Sequence, residues 1–373
     1  MQKQVCKRCV MDNVGDPYIV FDENGYCNYC TDALKAKDLR YFPNADGKRK
    51  LDYIFNKIKH DCKNQNYDCL LGLSGGLDSS YVAYIGYQYG LRILAVHIDD
   101  GFDAPETTRN IDRICRAYNI DLVIEKPNKE QFSDLTRAFI RAGVPDIAIP
   151  QDNVLFANLY KYAQKNRIRY FLNGSNFALE SILQKGNSYD AYDKVHILDI
   201  QRKFGKSKLN SSLPLFSVFE KRVKYRFSYR IQTVCPLNYL EYNARDALSI
   251  LNKSCGFEYY GDKHCESLLT KFMQRYYLPQ KFGVDKRKSH YSSMIISGQM
   301  TREEALQKLA EPLYEEADLQ KDLSFILKEL SISEKEFEKI MNEPPRQHSD
   351  YRKSIINRGA EVLLKMRQKS VGY

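Results

Sequence analysis

Ten of the 373 residues are cysteines, and four of them form two pairs, Cys6-Lys-Arg-Cys9 and Cys27-Asn-Tyr-Cys30, separated by 17 residues. Two such knuckles can present four thiolates tetrahedrally to zinc, and the metal then replaces a core too small to fold by itself. The same thiolates can also hold an iron–sulfur cluster. Cys62, Cys69, Cys115, Cys235, Cys255 and Cys265 are scattered and read as small apolar residues. A second chemistry-bearing run is Ser74-Gly-Gly-Leu-Asp-Ser79, followed by Ser80. Gly75 and Gly76 free the backbone to approach an anion, and the Ser74, Ser79 and Ser80 hydroxyls converge on the same place. Asp78 repels phosphate, so its expected partner is magnesium or a backbone amide. A Walker loop needs a following Gly-Lys-Ser/Thr, which this run lacks.

The elements around that run must position it. Residues 69–73 are apolar, as a buried parallel strand is, and a helix is expected to open near Asp78. Further strands are expected at 93–98, 122–125 and 169–173, with an amphipathic helix over 107–118 between the second and third. Strands alternating with helices predict an α/β fold with a doubly wound parallel sheet. The fourth strand runs into Gly174-Ser-Asn176, a glycine turn at the sheet edge where ligands of open α/β sheets bind. Gly174 and Ser175 are therefore candidate nucleotide neighbours, with a helix cap as the alternative. Two capping boxes, Thr301-Arg-Glu-Glu304 and Ser333-Glu-Lys-Glu336, open helices in a C-terminal part expected to be helical to its end. Leu319, Leu323, Ile326 and Leu330 recur at helical spacing as a packing face.

Composition narrows the setting. Hydrophobic residues are 43% and charged residues 28%, an ordinary globular mix, and the net charge of +10 suits nucleic acid, an anionic surface or a phosphorylated substrate. Residues 221–230 carry five cations among aromatics, either an RNA-facing surface or a solvated face. No apolar run approaches membrane length, and the N-terminus lacks the pattern of a secretory signal, so the cytoplasm is the expected compartment.

The hexapeptide Ser74-Gly-Gly-Leu-Asp-Ser79 resembles the pyrophosphate loop (PP-loop) of the N-type ATP pyrophosphatases, which cleave ATP to AMP and pyrophosphate. In that group the end of the second strand lies near the adenine, which makes His97, Ile98 and Asp99 pocket candidates; His97 as a satisfied core histidine is the alternative. Further motifs narrow the resemblance: Tyr259-Tyr-Gly-Asp-Lys-His-Cys-Glu-Ser267, Lys281-Phe-Gly-Val-Asp-Lys-Arg-Lys288 and Ser297-Gly-Gln-Met-Thr-Arg-Glu-Glu-Ala305. Together with the cysteine pairs and the loop, in this order, they resemble the N-acetyl sugar amidotransferases of bacterial surface-glycan biosynthesis.

The resemblance implies conversion of a sugar acetamido group to an acetamidino group through an O-adenylyl intermediate. ATP, Mg2+ and Zn2+ are the implied cofactors, and a separate glutaminase subunit is implied as the ammonia source. Pathways to pseudaminic and legionaminic acids and to mannuronic acid derivatives are the nearest models. The expected organisation is a zinc-ribbon-like unit at 1–45, a PP-loop ATP pyrophosphatase domain at 46–240 and a mostly helical substrate region at 241–373. Lys263, Lys271, Lys286 and Arg287 are candidates to stabilise phosphate charge, with solvated surface cations as the alternative. His264 and Glu266 are candidate bases. Both are expected near the start of a helix, where residues two apart diverge, so that only one of them serves. A PP-loop tRNA thiolase and a nonenzymatic nucleic-acid-binding protein are the competing readings; membrane association is not expected.

Overall fold

The computed structural model describes residues 3–261 and 263–359. Its centre is a five-stranded parallel sheet of β1 (Cys69–Gly72), β2 (Ile93–Ile98), β3 (Asp121–Glu125), β4 (Tyr170–Leu172) and β5 (Gln232–Val234). The spatial order is β3-β2-β1-β4-β5, with every pairing parallel. Parallel strands buried on both faces need apolar residues at consecutive positions, and β2, Ile-Leu-Ala-Val-His-Ile, is buried throughout.

Alternation along the strands divides the interior into two cores. Leu70, Leu94, Val96 and Phe171 face one core, shared with the helices Lys129–Ala142 and Ile149–Lys165. Cys69, Leu71, Ile93, Ala95 and Leu172 face the other, filled by the helices Ala45–Asp61, Leu77–Gln88 and Pro105–Ala117. The sheet is thus covered by helices on both faces, as the sequence predicted. The expected helix over 107–118 begins slightly earlier because Pro105, with its fixed φ, opens it. The chain reverses direction across the sheet between β1 and β4, a switch point at which the two following loops part to leave a crevice.

Among the described residues of the N-terminal unit, strand pairing is limited to two isolated antiparallel bridges, Val5 to Asp12 and Phe21 to Cys27, and the helix Asn28–Arg40 follows with Cys30 in its first turn. Gly25 turns the chain at φ +78°, and its N–H donates to the Asp22 carbonyl at 2.9 Å. The cysteines of this unit share the second core with Leu51, Leu71 and Val82. Arg302, from the C-terminal helices, donates to the Cys6 carbonyl at 3.1 Å and the Cys9 carbonyl at 3.2 Å, clasping the unit from outside.

Beyond Ala244 the described chain is chiefly helical. The Thr301–Glu304 capping box is present in full, and Ser333 accepts from the Glu336 N–H as its cap. In the helix Glu316–Glu329 and at its end, Ile326 and Leu330 are buried, as their spacing predicted. The basic segment 221–230 lies mostly in a π-helical stretch, Glu220–Ser228, with Arg222 and Arg226 exposed. The expectation of helix to the chain end falls partly on residues 360–373, outside the described residues. Among the described residues no helix is long and apolar enough to cross a membrane.

Candidate functional site

The four cysteine sulfurs lie within 4.8 Å of one another, and all four residues are fully buried. Cys6 and Cys30 are 3.7 Å apart at Sγ, and Cys9 and Cys27 are 3.6 Å apart. A zinc–sulfur bond of about 2.3 Å places tetrahedral sulfurs about 3.8 Å apart, so the cage fits one ion. It is too tight to enclose an iron–sulfur cluster, whose cysteines spread around several irons. Backbone N–H groups of Arg8 and Cys27 point at the Cys6 sulfur, at 3.4 and 3.2 Å, and compensate thiolate charge.

The glycine run sits at the switch point. Gly75 has φ +75°, and a Cβ there would meet Thr107 Cγ2 at 2.6 Å and the Thr107 carbonyl at 2.8 Å. Only glycine allows both that backbone and that approach. Gly76 then caps the helix Leu77–Gln88 without a side chain, leaving the first turn's N–H groups facing outward. Ser74 and Ser79 hydroxyls are 3.0 Å apart, the Gly76 N–H donates to Ser74 Oγ, and Ser79 Oγ donates to the Gly76 carbonyl. Ser80 Oγ is buried and lacks a partner. Gly174, after β4, packs on the same helix start: a Cβ there would lie 3.0 Å from the Ser79 nitrogen. Ser175 is exposed, and its N–H donates to Asn173 Oδ1.

The loop opens into a cleft of about 700 Å³ whose opposite wall comes from residues 243–313. Lys263 reaches across it, 2.7 Å from Asp78 Oδ2 and 2.8 Å from Glu180 Oε1. Tyr242, fully buried, donates its phenol proton to Asp78 Oδ1. Burial opposes charge on Asp78, but Lys263 and the phenol outweigh it and hold the carboxyl below its usual range. Burial likewise opposes charge on Lys263, and the two carboxylates outweigh it. Glu266 is pushed up to about 7, first by burial, and its Oε2 is buried without a partner. His264 is held below the ordinary imidazole range by desolvation and then by the Lys263 charge.

The expected helical placement of His264 and Glu266 needs correction. His264 has φ +65°, a left-handed backbone that breaks any helix, and the helix Leu268–Phe272 begins only after the Ser267 cap. In the resulting turn both side chains line the cleft, with His264 Nδ1 4.0 Å from Glu266 Oε1. The two residues therefore face the cleft together instead of diverging as they would on a helix.

Other candidates are placed as follows. Lys286 lines an adjoining recess with Arg275 and His290, and burial lowers its pKa. Arg287 borders the cleft, yet it is engaged by Asp285 at 2.9 Å and by the carbonyls of Leu309 and Glu311. Lys271 is outside the cleft lining, paired with Asp322 at 2.7 Å. His97 bridges the Leu73 carbonyl and Asp103, at 3.0 and 2.7 Å, as a satisfied core histidine would. Ile98 is buried beside it, and Asp99 pairs with Lys126. Tyr242 and Glu180 were not legible as site residues, because each reaches the loop from a distant part of the chain with no motif of its own; Tyr260 stands within the Tyr259–Ser267 run, but nothing in that run signals that its hydroxyl meets the loop.

The family model described as the C-terminal domain of LPS biosynthesis protein WbpG-like proteins matches residues 266–364. No curated protein matches the chain. Among solved structures, NMN synthetase from Francisella tularensis is 15% identical with a TM-score of 0.30, covering 59% of this chain and 100% of that one. NAD+ synthetase from Burkholderia pseudomallei is 16% identical with a TM-score of 0.32, covering 80% and 94%. NH3-dependent NAD synthetase from Campylobacter jejuni, in complex with the nitrate ion, is 16% identical with a TM-score of 0.29, covering 56% and 93%.

Proposed function

We propose that the chain is an ATP-dependent, AMP-forming amidotransferase that converts an acetamido group of an N-acetylated bacterial sugar to an acetamidino group. The observation that carries this reading is the meeting of the Ser74–Ser79 run and the stretch matched as a WbpG-like domain across one cleft. An amide carbonyl resists ammonia at neutral pH until its oxygen becomes a leaving group. Attack of that oxygen on the α-phosphorus breaks the bond to pyrophosphate and, with release of the amide N–H proton, gives an O-adenylyl imidate. Ammonia then adds to the imidate carbon, loses a proton, and AMP departs with the oxygen.

The chain's own residues have parts in each stage. Ser74, Gly75, Gly76 and Ser79 offer hydroxyl and N–H donors to the pyrophosphate, and Lys263 stands beside them to balance its charge. Lys286 and Arg275 supply positive charge in the adjoining recess. Asp78 and Glu180, converging on the Lys263 ammonium, are the residues that would hold magnesium, which neutralises phosphate charge when bound. His264, kept neutral, and Glu266, poised near neutrality, are the candidate acceptors for the proton that ammonia gives up. Zinc in the four-cysteine cage has a structural part only, because a closed four-thiolate shell leaves no open position.

The test is an incubation with ATP, ammonium and a panel of N-acetylated sugars. AMP should appear together with a sugar about one mass unit lighter, as oxygen is exchanged for NH. AMP without any lightened sugar across the panel, or no AMP at all, would remove this reading.

A further inference from the structure

The glycine run is already occupied by the protein's own side chains. The segment following the helix Ala244–Cys255 is pinned at both ends. Glu258 is held by Arg109 and Arg113 at 2.7 Å each, and Asn110 exchanges hydrogen bonds of 2.8 Å with the Glu258 backbone. At the far end the Glu266 carbonyl accepts from the Ala104 N–H at 3.0 Å and from Thr107 Oγ1 at 2.8 Å. These anchors belong to the helix Pro105–Ala117 and its entry, the same structure whose Thr107 backs Gly75.

Between the anchors two side chains turn inward to the run. The Leu77 N–H, first in the helix that follows Gly76, donates to the Tyr260 hydroxyl at 2.7 Å. The Glu266 carboxyl lies directly over Gly76: a Cβ built there would be 2.7 Å from Oε1 and 2.9 Å from Cδ, with Ser74 Oγ at 3.2 Å. A phosphate bound by the glycine backbone and the Ser74 hydroxyl needs that space. A carboxyl and a phenol oxygen are oxygen acceptors, as phosphate is: the phenol oxygen takes the Leu77 N–H at the helix N-terminus, and the carboxyl takes the space over Gly76. The fit is incomplete, since Glu266 Oε2 is buried and finds no donor among the described residues. An occupant that leaves one of its own oxygens unsatisfied is held less well than a phosphate able to satisfy all of its own.

We propose that Tyr260 and Glu266 are built-in stand-ins for phosphate, which fill the Ser74–Ser79 run in the ligand-free protein and must leave it for a nucleotide to bind. The proposal rests on the reading of this run as the site of the nucleotide phosphates. It makes the ligand-free protein self-blocked, with an affinity for nucleotide that is set by competition with its own side chains.

The test is calorimetric titration of the full chain with ATP and, separately, with inorganic pyrophosphate. Three variants are compared with the wild type, each checked for a cooperative melting transition that shows it folded: Glu266→Ala removes the carboxyl, Glu266→Gln keeps its volume without its charge, and Tyr260→Phe frees the Leu77 N–H. Removing a competitor should tighten binding, so the dissociation constants should fall about fivefold or more in Glu266→Ala and Tyr260→Phe, with a smaller fall in Glu266→Gln. Constants that are unchanged or weaker in folded Glu266→Ala and Tyr260→Phe would overturn the stand-in role while leaving the nucleotide site intact. Absence of binding of either ligand by the wild type and all three variants would remove the nucleotide reading and the proposal together. Should Glu266→Ala fail to fold, Glu266→Gln and Tyr260→Phe decide between the same outcomes.

Discussion

A side chain at Gly75 has nowhere to go: φ is +75° and Thr107 stands within 3 Å of any added Cβ. Gly75→Ala therefore incurs about 1–2 kcal/mol for the left-handed backbone, and the run must shift to relieve the contact with Thr107. ATP affinity is expected to fall by roughly tenfold or more, which calorimetry reads directly as about 1.4 kcal/mol. Undiminished affinity would show that the run does not carry the phosphates. A glycine of this kind is legible in sequence because the constraint is local. The residues around it are less legible: Tyr242 and Glu180 become site residues only when the fold brings them to Asp78 and Lys263. Glu266 adds a pH dependence. Its folded-state pKa is raised to about 7 by burial, while in the unfolded chain the group titrates near its ordinary value of about 4.5. The stability this group contributes is thus fully present below about 4.5 and is lost as pH rises through about 7. Glu266→Gln does not titrate, so its melting temperature relative to the wild type should rise between pH 5 and pH 8. A difference that stays flat over that range would mean the carboxyl ionises normally.

At the scale of elements, β1 to β4 announced themselves, whereas the short β5 and the irregular segments did not. The run Ile93–Ile98 is buried throughout and apolar except for His97, because both faces of the sheet are covered. The π-helical stretches Glu220–Ser228 and Met273–Tyr277 carry no comparable signature. The turn at His264 was read as helix because its left-handed backbone is imposed by the anchors on either side of it. The cysteine unit was legible from spacing alone, since four ligands must meet at one point whatever the rest of the chain does. Its independence from the Ser74–Ser79 run can be tested by three substitutions. Cys6→Ser and Cys27→Ser should each release the metal and lower the melting temperature by several degrees, since a broken thiolate shell removes folding energy. Asp78→Ala should abolish AMP formation and leave the bound metal, measured by elemental analysis, at the wild-type level. Retention of metal in both cysteine variants would refute the cage, and metal loss in Asp78→Ala would show that the two sites are coupled.

At the scale of the whole molecule, the proposed amidination needs a source of nitrogen. Hydrolysis of the glutamine side-chain amide calls for an activated nucleophile, most often a cysteine thiolate beside a base. The ten cysteines offer poor material for that work. Four lie together in the buried cluster that could hold a metal, and burial raises the thiol pKa of Cys62, Cys69, Cys115 and Cys235, which keeps them protonated at neutral pH. Cys255 directs its thiol to the Leu251 carbonyl at 3.1 Å, a helix-internal hydrogen bond, and Cys265 is buried behind the cleft wall. In sequence, too, neither of the last two is preceded by the glycine of a nucleophile elbow. The purified chain is therefore expected to form AMP and amidino product with ammonium, to do neither with glutamine alone, and to gain glutamine use when a separate glutaminase subunit is added. Measuring AMP and glutamate in parallel checks this: glutamate released in step with AMP by the isolated chain would place a glutaminase nucleophile within it, with Cys265 the first residue to substitute.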